Sequence, residues 1–442
     1  MNFLQDSTVL KRFGTNTTYT TRTTADMSEM NNGAKTVAVI GGGAAGMMAA
    51  IHAAYMGAEV MLFEKNDRLG KKLKITGKGR CNVTNDCPTN EFLNNVPTNP
   101  RFLYAALNRF STSDAMDFFE GCGVPLKVER GRRVFPVSDK AGDIVKALSD
   151  RCRDVGVQVI HNKITALEIE EGRVVGVRAG ERIFDCDSVI VCTGGKSYPG
   201  TGSDGDGYRF ARQAGHTVTE LRPSLVPIVA GGNLCQRMQG LSLKNVALKV
   251  VRRDNGKAVY DDFGEMMFTH FGMTGPMVLS ASAHIPDIEK GIYDAIIDLK
   301  PALDEQALDA RIRADFAKYN NKDFVNSLGD LLPLKAIEPI IDLCGIDPRK
   351  KVNSITKEER RKLLEAIKYM RIPLQRFRPI DEAIITKGGV AVSEIDPKTM
   401  ASKLVLGLYF AGEVLDLDAY TGGFNLQIAY STAVVAGENA AE

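Results

Sequence analysis

The sequence predicts an α/β protein in which a parallel, Rossmann-like β-sheet is interrupted by an inserted β-rich segment and then an inserted helical one. Three observations support this prediction. A glycine-rich turn follows an apolar strand near residue 40, a buried-type strand occupies residues 188–192, and a further strand leads into an apolar helix at the C-terminus. Between the last two, the hydrophobic pattern becomes first alternating and then helical.

The composition is that of an ordinary globular protein. The chain has 442 residues, of which 44% are hydrophobic and 25% charged, enough for two or three domains. A net charge of +2 argues against a dedicated nucleic-acid binder, although it leaves room for a local basic patch. The eight cysteines include no CxxC pair, which favours a reducing, cytoplasmic location. Cys81 and Cys87 are interpreted as two loop thiols rather than a dithiol relay.

The first 33 residues are rich in Thr, Asn and Ser and contain no apolar stretch typical of a signal peptide. We therefore predict a disordered N-terminal tail over residues 1–33. The apolar run over residues 37–63 is long enough to span a bilayer, but its three consecutive glycines and the internal His52 and Glu59 argue against that. It is better divided into strand, turn, helix and strand, so we expect no membrane association.

The first candidate site is the glycine turn. Gly41, Gly43 and Gly46 form a GxGxxG pattern between an apolar strand at residues 36–40 and a helix that runs to about Tyr55. The first glycine permits a tight turn, the second lets backbone N–H groups approach a pyrophosphate, and the third lets helix and strand pack closely. The positive end of the helix dipole then faces the phosphates.

The acid that completes this motif is Glu64, 18 residues after Gly46 and at the end of the next apolar strand. A carboxylate there can accept hydrogen bonds from the ribose hydroxyls of an adenosine. Strand, helix, second strand and acid together predict a dinucleotide-binding unit. A second GxGxxG match, Gly200, Gly202 and Gly205, is interpreted as an irregular loop because polar residues separate it from the preceding strand.

Three further segments favour FAD over NAD. The loop "GKKLKITGKGRCNVTN" combines glycine with Lys and Arg, which can wrap a dinucleotide and neutralise its phosphates, although a solvated loop would look the same. "SVIVCTGG" returns the chain to the nucleotide with small residues. At the C-terminus, Glu413 could hold the ribityl hydroxyls, and a helix that opens near Gly423 could face the flavin.

We therefore predict a glutathione-reductase-like FAD-binding domain. The residues predicted to contact the cofactor are Gly41, Gly43, Ala44, Ala45, Gly46, Glu64, Lys65, Lys72, Gly79, Arg80, Asn82, Thr84, Thr193, Gly194, Gly195, Gly412, Glu413, Gly422, Gly423, Phe424, Asn425 and Leu426.

The sequence resembles the BaiN-type (YhiN-like) NAD(P)/FAD-dependent oxidoreductases, also described as aminoacetone-oxidase-family FAD enzymes. The resemblance covers residues 35–441, and its most specific motifs are "KLKITGKGRCNVTN", "CTGGKSYPGTGSDGDGY", "GEMMFTHFGMTGPMVLSAS" and "AGEVLDLDAYTGGFNLQIAYSTAVVAG". Two features depart from the family pattern: the Thr-rich start, with Met27 or Met30 as alternative first residues, and Lys78, which stands where many relatives have glycine.

We place the FAD-binding domain at residues 34–219 and 375–442. The pattern between them alternates and turns at Asn255 and Gly256, which predicts a hairpin and a β-rich subdomain at residues 220–300. Residues 301–374 are predicted as a helical subdomain, with Thr356 and Glu359 forming a capping box. The resemblance implies a similar architecture, and we expect the substrate at the cleft between these domains.

Residues 349–378 contain eleven Lys or Arg and three Glu. An anionic partner such as RNA is one interpretation, but charged helices usually expose such a face to solvent, which is the interpretation we favour. None of the five histidines stands at metal-ligand spacing, so no metal site is expected.

Three residues are candidate proton donors. His270 precedes a glycine-rich turn, and Tyr198 and Tyr420 lie in loops that the FAD interpretation brings near the flavin. Each has a structural alternative: a packed histidine, or an aromatic ring stacked on the isoalloxazine.

The sequence thus predicts a cytoplasmic FAD-dependent oxidoreductase in which flavin N5 exchanges a hydride with a small or medium organic substrate. The resemblance implies a reductase of conjugated or keto-type compounds that uses NAD(P)H, and leaves an amine oxidase open. No second glycine turn of Rossmann type is apparent, so NAD(P)H would be a transient electron donor. An RNA-binding, tRNA-related flavoprotein and a flavin-binding interaction protein without turnover are the remaining alternatives. The sequence does not predict an oligomeric state.

Overall fold

The computed structural model describes residues 33–442. The tail predicted over residues 1–33 therefore lies, apart from its last residue, outside the described part of the chain. The chain divides into two compact units. Within the described residues, the first contains residues 33–222 and again Thr386–Glu442, and the second is Pro223–Ile385.

The strands and helices are numbered along the chain. The strands are β1 (Thr36–Ile40), β2 (Glu59–Phe63), β3 (Thr84–Asn85), β4 (Leu126–Glu129), β5 (Arg133–Pro136), β6 (Gln158–Ile160), β7 (Ala166–Glu170), β8 (Arg173–Ala179), β9 (Arg182–Asp185), β10 (Ser188–Val191), β11 (Arg222–Ser224), β12 (Ile228–Ala230), β13 (Ser242–Arg252), β14 (Ala258–Phe268), β15 (Gly272–Thr274), β16 (Tyr293–Asp298), β17 (Met370–Phe377), β18 (Ile385–Lys387) and β19 (Leu408–Phe410). The helices are α1 (Ala44–Tyr55), α2 (Lys71–Ile75), α3 (Thr89–Leu93), α4 (Tyr104–Arg109), α5 (Thr112–Gly121), α6 (Ala141–Asp154), α7 (Asp206–Gln213), α8 (Leu234–Arg237), α9 (Pro276–His284), α10 (Glu305–Lys318), α11 (Leu334–Cys344), α12 (Lys357–Lys368) and α13 (Phe424–Ala440).

The first unit is built on a parallel sheet with the strand order β19-β10-β1-β2-β6. β10 is buried along its whole length, and β1 is buried from Val37 to Ile40. Such continuous apolar runs are typical of parallel strands that are covered on both faces. The predicted α/β, Rossmann-like fold class is therefore confirmed.

Helices α1 and α13 pack closely against each other in this unit. α1 is rich in alanine and buried over most of its surface. In α13, a Cβ at Gly437 would lie 2.4 Å from the carbonyl oxygen of Ala49, so only glycine allows the two backbones to approach this closely. Two small antiparallel sheets, β3-β5-β4 and β7-β8-β9, complete the unit.

The second unit contains a closed antiparallel barrel with the strand order β12-β15-β14-β13-β16-β17. The hairpin predicted around Asn255 and Gly256 joins β13 to β14. Helix α12 begins after Thr356, which forms the predicted capping box with Glu359. Barrel and helices share one hydrophobic core, to which β16 contributes Ile297, α10 contributes Leu308 and α12 contributes Leu363.

Two features of this unit differ from the predicted domain boundaries. The residues predicted as a separate helical subdomain share the core of the barrel, because α10, α11 and α12 bury their apolar faces in it. The return to the first unit falls after Ile385 rather than after residue 374, because β17 spans residues 370–377 and pairs with both β12 and β16. Within residues 33–442, no helix combines the length and apolar character needed to cross a bilayer.

Candidate cofactor-binding site

The glycine turn lies between β1 and α1, and its glycines have different tasks. Gly41 has φ +106°, a backbone conformation that favours glycine. A Cβ at Gly46 would lie 1.7 Å from the carbonyl oxygen of Gly41, so close packing requires glycine at position 46. At Gly43, in contrast, a Cβ would meet no atom within 4 Å. Gly43 is the N-cap of α1, and no side chain caps this helix. The N-terminal N–H groups of Ala44 and Ala45 therefore border open space, as a pyrophosphate site requires.

Glu64 follows β2 and is buried. Its Oε2 atom accepts a hydrogen bond from the backbone N–H of Gly42 at 2.8 Å. Its Oε1 atom accepts two from Asn66, at 2.8 Å from the backbone and 2.6 Å from the side chain. A carboxylate offers about four acceptor positions, so Glu64 is held in place and retains capacity for a ribose hydroxyl. The sequence interpretation missed Asn66, although its position two residues after the acid was a signal.

Lys65 was predicted to contact the cofactor, but its ammonium group is held by Asp204 at 2.6 Å and Asp206 at 3.0 Å. Burial disfavours the charged form of Asp206, yet hydrogen bonds from Lys65 and Arg209 outweigh this effect and lower the pKa of its carboxyl group to about 2. The side chain of Asn66 also donates to the carbonyl oxygen of Thr201 at 3.1 Å. The second glycine motif is thus a loop that packs beside the Glu64 segment.

Lys72 and Glu413 form a partly buried network with two residues that the sequence did not single out. The Lys72 ammonium group lies 2.8 Å from Glu413 Oε2 and 2.7 Å from Ser197 Oγ. Glu413 Oε1 accepts the backbone N–H of Thr386 at 2.9 Å. A Cβ at Gly195 would lie 2.6 Å from this same oxygen, so Gly195 makes room for the carboxylate. Lys72 and Glu413, both predicted to contact the cofactor, therefore form an ion pair with each other.

The loop after α2 contains several residues with left-handed backbone conformations. Gly79 has φ +84°, and a Cβ there would meet nothing within 4 Å. Lys78, which departs from the family pattern, has φ +58°, a conformation that favours glycine. Arg80 donates to Glu129 and Asp139, and its guanidinium carbon lies 4.2 Å from the centre of the Phe135 ring. These contacts hold Arg80 on the β4–β5 hairpin.

Two buried polar atoms in this region have no hydrogen-bond partner within the described residues: Asn82 Oδ1 and Thr193 Oγ1. Both belong to residues predicted to contact the cofactor, and Thr193 precedes Gly194, which has φ +71°. Buried polar groups are normally satisfied, so these two atoms indicate polar groups of a ligand. With the open glycine turn and the held acid, the residues present fit a dinucleotide such as FAD.

The N-terminus of α13 forms a further part of the site. A Cβ at Gly423 would lie 2.3 Å from the carbonyl oxygen of Thr84, so the helix starts directly against β3. Asn425 donates to the carbonyl oxygen of Ala419 at 2.7 Å and accepts the N–H of the same residue. Because no side chain caps this helix, the N–H groups of Phe424 and Leu426 remain available. Gly422 has φ +129°, and Gly412 packs on Ala45 of α1.

The three candidate proton donors lie in both units. Tyr198 is exposed and has φ +53°. Tyr420 is partly buried, and this burial, together with the negative charge of Asp418, raises the pKa of its phenol. His270 is exposed and belongs to the second unit, in the turn closed by hydrogen bonds between Thr269 and Gly272.

Burial raises the pKa of the Cys81 thiol to about 12, and that of Cys87 to about 11, so neither is a thiolate at neutral pH.

The fold and the site define the class of this protein as an FAD-binding oxidoreductase with a Rossmann domain. The family model described as the HI0933-like protein Rossmann domain matches residues 35–439. The chain therefore belongs to the HI0933-like family, which confirms the resemblance drawn from the motifs.

Several known proteins are similar over nearly the whole chain. The 3-dehydro-bile acid delta(4,6)-reductase of Clostridium scindens is 30% identical over 414 residues, which cover 92% of this chain and 99% of that protein. The ribosomal RNA dihydrouridine synthase of Escherichia coli is also 30% identical, over 89% of this chain and 95% of that protein. In fold, the chain is similar to the 3-ketosteroid-delta4-(5alpha)-dehydrogenase of Rhodococcus jostii RHA1, with a TM-score of 0.51, 16% identity and coverage of 95% and 99% of the two chains.

Proposed function

We propose that this protein is an FAD-dependent reductase of carbon–carbon double bonds conjugated with a carbonyl group. The observation that carries the proposal is the similarity, at 30% identity and near-complete coverage, to a bile acid delta(4,6)-reductase within the same family of FAD-binding oxidoreductases. We keep the substrate class predicted from the sequence, a small or medium organic molecule.

The site residues are assigned to FAD as follows. The N–H groups of Ala44 and Ala45 bind the pyrophosphate, because they border the open space at Gly43. Glu64 binds the adenosine ribose through its remaining acceptor capacity. Asn82 and Thr193 bind polar groups along the cofactor, since their buried side-chain oxygens lack other partners. When bound and reduced, FAD supplies the hydride.

The chain's own contribution to chemistry is electrostatic and acid–base. The positive N-terminal end of α13 favours negative charge beside Phe424 and Leu426, where we place the flavin. Tyr420 is the first candidate proton donor, because its backbone carbonyl oxygen accepts a hydrogen bond from Asn425 at the start of α13, where we place the flavin. Tyr198 and His270 remain alternative donors.

The test is an anaerobic single-turnover experiment. The holoprotein is reduced with dithionite and mixed with a 4,6-dien-3-one steroid, cyclohexenone, a saturated ketone and an amine, while the visible flavin absorbance is followed. We expect oxidised flavin to return with the conjugated compounds, and the saturated product to appear by mass spectrometry. Return of colour with none of them contradicts the proposal, and bleaching of the oxidised protein by the amine favours an oxidase. NADH and NADPH are tested as donors in the same instrument.

A second candidate is reduction of a uracil ring in ribosomal RNA. Two proteins named ribosomal RNA dihydrouridine synthase, from Escherichia coli and Haemophilus influenzae, are each 30% identical to this chain. Their product is formed by saturating a double bond conjugated with a carbonyl group, so the chemistry at the flavin would be the same.

The basic segment at residues 349–378 does not favour this alternative. Seven of its eleven Lys and Arg side chains form ion pairs with carboxylates of the second unit or its flanking loops, which neutralises most of the excess charge: Lys350, Lys351, Arg360, Arg361, Lys368, Arg371 and Arg378. Incubating the reduced protein with ribosomal RNA and measuring dihydrouridine in the digested product separates the two candidates. Product from RNA but not from the steroid would favour the RNA substrate.

A further inference from the structure

The second unit contains a cavity of about 230 Å³ between the start of β13, the end of β16 and the start of α11. Its walls include Met238, Leu243, Phe268 and Leu332, all buried in the hydrophobic core of the unit. The cavity is also lined by two lysines, of which Lys244 is exposed and Lys300 is partly buried. The cavity therefore joins an apolar interior to positively charged groups.

Lys300 carries a charge that the protein does not compensate. Its ammonium group forms no ion pair or hydrogen bond within residues 33–442. The carboxylate nearest in sequence, Asp298, is already used: its Oδ2 atom lies 2.5 Å from the ammonium group of Lys368, and its Oδ1 atom accepts the backbone N–H of Lys300. Burial, reinforced by the charge of Arg311 and opposed by that of Asp315, lowers the pKa of Lys300.

Lys368, unlike Lys300, has acceptors for its ammonium group. Lys368 is more deeply buried, but Asp298 and the carbonyl oxygen of Leu303 satisfy its ammonium group. A partly buried cation without an acceptor is costly, and an anion that enters beside it recovers that cost. A ligand that also fills the apolar interior gains from burial of its own hydrocarbon surface.

We propose that this cavity binds a small carboxylate with an apolar chain, with the carboxylate at Lys300 and Lys244 and the chain against Met238, Leu243 and Phe268. The cavity is smaller than the roughly 300–1,000 Å³ typical of drug-sized ligands, so the chain is short. This site lies wholly within the second unit and does not depend on the proposed reductase function.

Octanoate is the probe, titrated into the FAD-loaded protein by isothermal calorimetry, with octan-1-ol as a neutral ligand of the same chain length. We expect saturable one-to-one binding of octanoate and at least tenfold weaker binding of octan-1-ol. Lys300→Met should weaken octanoate binding at least tenfold. Lys249→Met is the matched control, because Lys249 lies on β13 opposite Ile296 of β16, forms an ion pair with Asp261 and does not line the cavity.

A second variant tests the apolar half of the site. Ala336 lines the cavity and is buried, so Ala336→Leu fills part of the interior and should also weaken octanoate binding at least tenfold. Circular dichroism and retained FAD show whether each variant is folded. The proposal is overturned if octanoate does not bind, if octan-1-ol binds equally well, or if folded Lys300→Met and Ala336→Leu both keep the original affinity.

Discussion

Lys72 and Glu413 are 341 positions apart in the sequence, and their side chains form an ion pair of 2.8 Å. Lys72 lies in α2, and Glu413 follows β19 of the parallel sheet. Each side chain is about one-fifth exposed. The ion pair therefore links the C-terminal segment of the first unit to its N-terminal half. It lies beside Gly195, where a Cβ would approach the Glu413 carboxylate.

We expect Lys72→Met to destabilise the protein by about 1–2 kcal/mol, because it leaves the Glu413 carboxylate partly buried without its cation. Thermal unfolding of Lys72→Met, Glu413→Gln and the double variant forms a double-mutant cycle. A coupling free energy of about 1 kcal/mol is expected. Lys71→Met serves as the control, because Lys71 pairs instead with the more exposed Asp67. Strict additivity of the two single changes would show that the ion pair contributes nothing.

Gly43→Val should lower FAD affinity about 100-fold or more, because the side chain enters the open space beside the N-terminus of α1. The apoprotein should lose only about 1 kcal/mol, from the poorer N-cap. Gly142→Val is the control, since a Cβ at Gly142 also meets nothing within 4 Å but the residue lies in α6. Chromatography of the heat-released chromophore and FAD titration measure the effect. Retention of full affinity by Gly43→Val would place the pyrophosphate elsewhere.

Lys78→Gly should stabilise the protein by about 1 kcal/mol, because Lys78 has φ +58° and glycine adopts this conformation without steric cost. Lys74→Gly is the matched change in α2, where glycine should instead destabilise. Urea unfolding of both variants measures the difference. A loss of stability in Lys78→Gly would show that the lysine side chain makes contributions that outweigh its backbone strain.

His216 makes stability depend on pH. Its side chain is fully buried between Glu394 Oε2 at 3.1 Å and Ser402 Oγ at 2.7 Å. Burial lowers the pKa of the imidazole, although Glu394 acts in the opposite direction. The unfolded chain therefore takes up a proton near pH 6.5, whereas the folded chain does so only at lower pH. Stability that is complete above pH 6.5 is lost as the pH falls from 6.5 towards the lowered value.

The measurement is the free energy of unfolding in urea between pH 5 and pH 8 for the parent protein and His216→Gln. We expect a shallower slope below pH 6.5 in the variant. His161→Gln, which replaces an exposed histidine, is the control. Identical slopes for the parent and His216→Gln would assign the pH dependence to other groups.

Loss of the proton donor should slow substrate reduction by about 10²- to 10⁴-fold without reducing FAD affinity. Tyr420→Phe is the first variant to measure, followed by Tyr198→Phe and His270→Gln. Flavin reduction by its own electron donor should change little, which separates proton transfer from cofactor binding. Full turnover in all three variants would show that the proton comes from water or another residue.

The sequence predicted the parallel sheet, the glycine turn, Glu64 and the capped helix α12 because each depends on short-range patterns of apolar, small and capping residues. It could not predict which carboxylates form ion pairs with Lys65 and Lys72. Lys65 is held by Asp204 and Asp206, which lie about 140 positions away in the chain. Thr386 likewise joins Glu413 only because the chain returns after the inserted unit. Partners of this kind depend on tertiary packing, which leaves no local signal.

The discontinuous first unit also has a consequence for synthesis on the ribosome. Strand β10 ends at Val191, but its partner β19 begins only at Leu408, and α13 is the last helix of the chain. At about 5–20 residues per second, more than 200 intervening residues take roughly 10–40 s to translate, during which the apolar edge of β10 has no strand to pair with. The nascent chain must therefore protect that edge while the barrel is made. Under the proposed placement of the flavin at the N-terminus of α13, FAD binding would also wait until Phe424 and Leu426 have left the exit tunnel.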